Sequence, residues 1–120
     1  MKIAITAQGK ELSSEIDLRF GRAKFLLVVD TNTNDFQAHD NTVNLNAAHG
    51  AGIQASQNIA NLDVEAVVTG NIRPNAFKTL NAAGVKMFLA EKQTVQDAID
   101  SFKAGKLKEV DRANVEEHWI

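Results

Sequence analysis

Residues 46–57, NAAHGAGIQASQ, set a histidine and two glycines directly before an apolar, helix-like run. The first turn of a helix leaves about four backbone N–H groups without intrahelical partners. The helix dipole adds roughly half a positive charge there. Gly50 and Gly52 let a ligand approach that backbone closely, so His49, Gly50, Ala51 and Gly52 have the makings of an anion site. His49 can act there as a metal ligand, a hydrogen-bond donor or a charge that follows pH. The same pattern also fits a plainer role, in which the glycines permit a tight connection and His49 caps the helix or packs. It is not a dinucleotide fingerprint: GAG lacks the third glycine and does not sit between a strand and its own helix.

Two further segments offer positive charge. RFGRAKF, residues 19–25, gathers Arg19, Arg22 and Lys24 around Gly21, with Phe20 reading as a lid over the edge of the core. Arginine forks suit an oxyanion or a thiometallate, although charges flanking a strand are often only solvated. TGNIRPN, residues 69–75, puts Arg73 one residue before Pro74, at a helix entrance. A cation there opposes the helix dipole unless an anion compensates it; an exposed arginine without a role is the alternative. A catalytic set does not assemble. The first strand ends in Thr6, Ala7 and Gln8, not in a carboxylate, and Asp30 with Asp40 is only two carboxylates, weak evidence for a cluster. A Mg-dependent phosphoryl or nucleic-acid hydrolase, which needs clustered carboxylates, is therefore the second reading. A protein-interaction module using Trp119 is the third.

The elements that must position these residues follow from composition and periodicity. The 120 residues suit one domain, and zero cysteines exclude disulfides, thiolate nucleophiles and Cys-ligated metal. A net charge of −2 argues against a general nucleic-acid binder. No apolar run is long enough for a signal peptide or a membrane span, so the reading is a cytoplasmic protein with no membrane partner.

Strands are predicted at residues 2–6, 24–30, 64–69 and 85–89, which are apolar or β-branched, and a third, edge-type strand at 36–40. Residues 7–23 read as a long loop, functional or mobile. Helices are predicted at 51–62, from Pro74 to the stop at Gly84, and from a Thr94 cap to Gly105. The middle helix turns Ala76, Phe77, Leu80 and Ala83 inward. Residues 108–120 read as a charged C-terminal tail. The order β-β-β-α-β-α-β-α predicts an α/β fold: a mixed five-stranded sheet, antiparallel over its first three strands and then alternating, flanked by three helices. Ligands should collect beyond the carboxyl ends of the parallel strands.

RFGRA, HGAGIQAS, VVTGNIRPNAF and AAGVKMF followed by TVQDAIDSFKAGKL, in this order, resemble the dinitrogenase iron–molybdenum cofactor biosynthesis family. The resemblance spans residues 1–107. MKIAITAQG and DRANVEEHW are most similar to its orange-protein subgroup, associated with a molybdenum–copper sulfide cluster held without covalent attachment. The resemblance implies a ribonuclease-H-like fold and the binding or carriage of a metal–sulfur cluster (Mo–Cu sulfide or iron–molybdenum cofactor-like) in place of turnover. It also implies a possible protein partner in delivery. It maps the functional region onto Phe20, Gly21 and Arg22; onto His49, Gly50, Ala51 and Gly52; and onto Gly70, Asn71 and Pro74. Many members have glycine where this chain has Arg73, and some carry cysteine or further histidines. Such clusters bring their own sulfide ligands and negative charge. Arg22, Lys24 and Arg73 would then supply cations, and Phe20 and Ile72 apolar walls.

Overall fold

The computed structural model of the chain describes residues 1–41, 58, 59 and 61–110. Six strands form one mixed sheet: β1 (Lys2–Ala7), β2 (Phe25–Asp30), β3 (Phe36–Asp40), β4 (Ala66–Thr69), β5 (Lys86–Leu89) and β6 (Lys108–Val110), in the order β3-β2-β1-β4-β5-β6. The first three form the predicted antiparallel meander, with Ala4 opposite Val28 and Val28 opposite Gln37. β1, β4 and β5 run parallel, with Ile5 opposite Val68 and Thr69 opposite Leu89. β1 and β4 are central strands, buried on both faces, which is why their sequences read as continuous apolar runs.

Alternation along the strands splits the core in two. On one face Ile3, Ile5, Val29 and Val68 pack with Val95, Ala98 and Ile99 of α2 (Val95–Lys103). On the other, Ala4, Leu26, Val67 and Met87 pack with Ala76 and Leu80 of α1 (Pro74–Ala82). Burying a side chain such as Leu80 or Ile99 stabilises the fold by about 1.5–3 kcal/mol. Of the predicted first helix, residues 51–62, most lies outside the described residues; Ile59 is buried in the α1-face core and Leu62 packs against it. No helix among the described residues is long and apolar enough to cross a membrane.

The structure corrects three expectations. The sheet has six strands, not five: Lys108–Val110, assigned to the tail, pairs antiparallel with β5. Its sequence, KEV, has no apolar alternation to read because it is an edge strand with Lys108 and Glu109 exposed. Ala83 is exposed, since α1 ends one residue earlier and the αL turn at Gly84 (φ +75°) follows. The long loop after β1 is pinned. Gln8 N–H donates to Glu15 O (2.9 Å), Ile16 N–H to Gln93 O (2.9 Å) and Asp17 N–H to Thr6 O (2.8 Å), and Ile16 is buried.

That loop also closes the entrance of α2. Val95 N–H donates to Ser14 O (2.8 Å) and Gln96 N–H to Leu12 O (2.9 Å). The Asp97 N–H donates to the Thr94 hydroxyl (3.1 Å), the predicted cap. Removing this cap by Thr94→Ala should lower stability by about 1 kcal/mol, read as a lower denaturant midpoint with an unchanged slope.

Candidate functional site

The chain leaves β1 toward β2 on one side and leaves β4 toward β5 on the other. The sheet's switch point thus lies between the carboxyl ends of β1 and β4, where open α/β sheets bind ligands. Each of these strands carries a buried threonine at its carboxyl end, Thr69 as the last residue of β4 and Thr6 one before the last of β1. Thr6 Oγ1 lies 2.6 Å from the Asp17 carbonyl oxygen and 2.8 Å from Thr69 Oγ1. A carbonyl only accepts, so the Thr6 proton goes to Asp17 and Thr69 donates to Thr6. This junction ties β1, β4 and the returning loop together beneath the surface.

Above the junction the two loops run side by side. Arg19 and Asn71 form an isolated parallel bridge, and Asn71 Nδ2 donates to Leu18 O at 3.1 Å. Gly70 makes this approach possible: a Cβ there would lie 2.6 Å from Leu18 Cδ2 and 2.8 Å from Leu18 Cα. Phe20–Arg22 then forms a 3₁₀ turn in which the Arg22 N–H donates to Arg19 O at 3.2 Å. Two of the three predicted segments, 20–22 and 70–74, are therefore neighbours. The third, His49, Gly50, Ala51 and Gly52, lies outside the described residues.

Within the paired segments the roles divide. Phe20 and Ile72 are buried in the α1-face core. They therefore lie inside the core, not as a lid or walls at the surface. Gly21 and Gly70 are half-buried, while Arg22, Asn71 and Arg73 are exposed. Arg73 is the N-cap residue of α1, and its side chain makes no cap bond; Pro74 follows at the start of the helix without an N–H. Among the described residues the Arg73 side chain has no ion pair. The entrance of α1 thus combines an arginine with the positive end of a helix dipole, whereas the loop and Thr94 cap the entrance of α2. Arg19 differs from Arg73: its Nε lies 3.3 Å from Asp17 Oδ1 and its Nη2 3.4 Å from Oδ2. Lys24 is exposed just before β2, and Lys10 Nζ stands 5.5 Å from the Phe25 ring centroid at this same end of the sheet.

The carboxylates of the hydrolase reading do not meet. Asp40 stands opposite Phe25, while Asp30 lies at the far end of β2. Five residues of strand separate them by about 17 Å, against roughly 4 Å between the ions of a two-metal site. Asp30 is instead a turn residue, and the Asn32 N–H, 2.8 Å from its Oδ1, holds its carboxyl below the ordinary value. Among the described residues no group of three His, Cys, Asp or Glu is placed to hold a metal. A groove of about 540 Å³ beside Lys2, Asp30, Asp35 and Phe36 opens at the opposite end of the sheet from the paired loops.

Thr6 and Thr69 stand in the segments read from sequence but without a role there, and Asp17 is absent from that reading. The signal was there: both KIAIT and VEAVVT close an apolar run on a threonine, and a buried hydroxyl must find a partner. Asp17 gave no such signal, because its burial depends on where the loop returns. The tightness of the seam is measurable. Gly70→Ala should cost about 1–3 kcal/mol, as overpacking does, and should move the amide resonances of residues 17–22 in a two-dimensional NMR spectrum.

A family model described as dinitrogenase iron–molybdenum cofactor matches residues 1–105. The chain is similar to the apo form of the orange protein from Desulfovibrio gigas, at 36% identity over 95% of this chain and 96% of that one, with a TM-score of 0.92. It is also similar to a putative NifB protein from Thermotoga, at 41% identity over 90% and 91% of the two chains, with a TM-score of 0.79. An uncharacterized protein of Methanocaldococcus jannaschii is 28% identical over 110 residues, 90% of each chain. With a match over nearly its whole length, the chain belongs to the dinitrogenase iron–molybdenum cofactor family.

Proposed function

We propose that the protein binds or carries an anionic metal–sulfur cluster as cargo, without turning it over. The cargo is of the molybdenum–copper sulfide or iron–molybdenum cofactor type, held without covalent attachment and passed on to a protein partner. The observation that carries this reading is the seam at Arg19 and Asn71, which makes neighbours of the 20–22 and 70–74 segments at the sheet's switch point. Family membership and the similarity to the orange protein support the class of cargo. The ribonuclease-H-like grouping belongs to the same reading, supported by the order β3-β2-β1-β4-β5 with β2 antiparallel.

The chemistry follows from what the chain lacks and what it places at the rim. With no cysteine, it has no thiolate to offer a metal. A sulfide cluster is already coordinated by its own sulfur and carries negative charge. Cations and N–H donors are what it requires from a protein. Arg22 and Arg73 supply the charge, and Gly21 and Gly70 keep bulk away from the backbone between them. His49, Gly50, Ala51 and Gly52 complete the rim in this reading, with His49 as the single candidate metal ligand. Phe20 and Ile72 act from inside the core, holding the two backbones at a fixed height. N–H donors bond sulfide more weakly than oxygen, so several must converge. Exposed charges are screened by salt, so binding should weaken as ionic strength rises.

Tetrathiomolybdate with copper, added to the protein, should produce a visible absorption band that co-elutes with it. Amide shifts should concentrate at residues 20–22, 49–53 and 70–75; shifts spread over the whole surface, or none, would remove the reading. Arg22→Ala and Arg73→Ala should each weaken binding by about 1.5–3 kcal/mol at low salt, the range for hydrogen bonds to a charged group. Full retention in the double variant would show that cations are not the holding force.

A further inference from the structure

Arg19 stands on the seam itself, and its guanidinium has a carboxylate partner that Arg73 does not have among the described residues. The Asp17 side chain is only 3% exposed, whereas that of Arg19 is 67% exposed. Asp17 cannot leave its place: its N–H donates to Thr6 O at 2.8 Å, and its carbonyl accepts from the Thr6 hydroxyl at 2.6 Å. Its carboxylate accepts from the Arg19 N–H at 2.9 Å and from the Arg19 guanidinium at 3.3 and 3.4 Å. Drawing the guanidinium away would leave a buried carboxylate without its cation, an arrangement that is strongly unfavourable. We propose that Asp17 is a positioning residue that withdraws Arg19 from the anion-binding rim. The grip on an anionic guest then falls to cations such as Arg73, which has no carboxylate partner among the described residues.

This inference rests on the proposed cluster-binding reading and specifies its electrostatics. A guest at the rim meets Arg19 together with the carboxylate behind it, so it meets a dipole and not a full charge. Arg73, one residue past Ile72 on the facing loop, has no such carboxylate among the described residues. The rim thus carries less positive charge than RFGRAKF offers on paper. For a carrier, a moderated grip is what permits release to the next site.

The pair can be read without a guest. In the native protein near neutral pH the Arg19 Nε–H should give an exchange-protected NMR signal, lost in Asp17→Asn. Tetrathiomolybdate, a dianion, serves as the binding probe at low salt. Asp17→Asn keeps the acceptor for the Arg19 N–H and frees the guanidinium. It should tighten binding on the order of threefold to tenfold, with the gain shrinking toward about 0.5 M salt. Damage to structure does not produce tighter binding. The double variant Asp17→Asn with Arg19→Gln should return to the native affinity, and Arg19→Gln alone should stay within about twofold of it, while Arg73→Gln weakens it. A folded Asp17→Asn variant with no gain overturns the inference, and so does an Arg19→Gln loss equal to that of Arg73→Gln. Should Asp17→Asn fail to fold, the Arg19→Gln and Arg73→Gln comparison decides alone. If native protein and variants all ignore tetrathiomolybdate, the cluster-binding reading fails. The Nε–H signal then judges the pairing by itself, and its absence overturns the withdrawal of Arg19.

Discussion

The buried hydroxyl of Thr6 is the contact on which the upper end of the molecule depends. It sits at the end of a central strand, accepts from Thr69 on the neighbouring parallel strand and donates to the backbone of Asp17 in the loop above. A group so placed has no water to fall back on, so each of its bonds must be made by protein. Satisfying it fixes the distance between two strand ends and the height of the loop over them. Leu18 then meets Gly70, the Arg19–Asn71 bridge forms, and the 3₁₀ turn carrying Phe20–Arg22 follows. The rim is built on core geometry, not on the loops' own preferences.

The two described helices differ in the residues that open them, at entrances that share this end of the sheet. At α2 the chain supplies its own oxygens: Ser14 and Leu12 carbonyls and the Thr94 hydroxyl take the first N–H groups. That entrance is closed to a ligand. At α1, Pro74 removes one donor, and Arg73 adds positive charge where the dipole is already positive. Such a local conflict marks a place where something other than stability shaped the sequence. The closure of the α2 entrance could not be seen from that helix alone, because its partners lie about eighty positions earlier in the chain.

Much of the scaffold was legible from periodicity. β3 falls on the predicted residues, and the cap and stop of α2 stand at Thr94 and Gly105 as read. Those features depend on neighbours in sequence, where patterns of period two and 3.6 carry the information. β6 escaped because an edge strand with charges on it has no periodicity to offer. The rim was half legible. Glycines and arginines announced segments 20–22 and 70–74, but sequence could not distinguish Arg19 from Arg73. Their difference lies in a carboxylate whose burial is set by a strand pairing far away in the chain. How deeply Phe20 and Ile72 are buried was illegible for a related reason: an aromatic or aliphatic residue near a glycine looks the same in sequence at a core's edge or inside it.

The clasp between residues 12–16 and the first turn of α2 joins parts of the chain about eighty positions apart, as in the bond from Val95 to Ser14. Contacts of that span form late, because the loop closing them costs entropy before they return anything. During synthesis the N-terminal meander emerges first and Thr6 can hold Asp17 early, but residues 12–16 lack their partners at 93–96 until α2 has left the ribosome. A nascent chain therefore carries a loop fastened at one end only for most of its translation, and the second anchorage comes into being near completion.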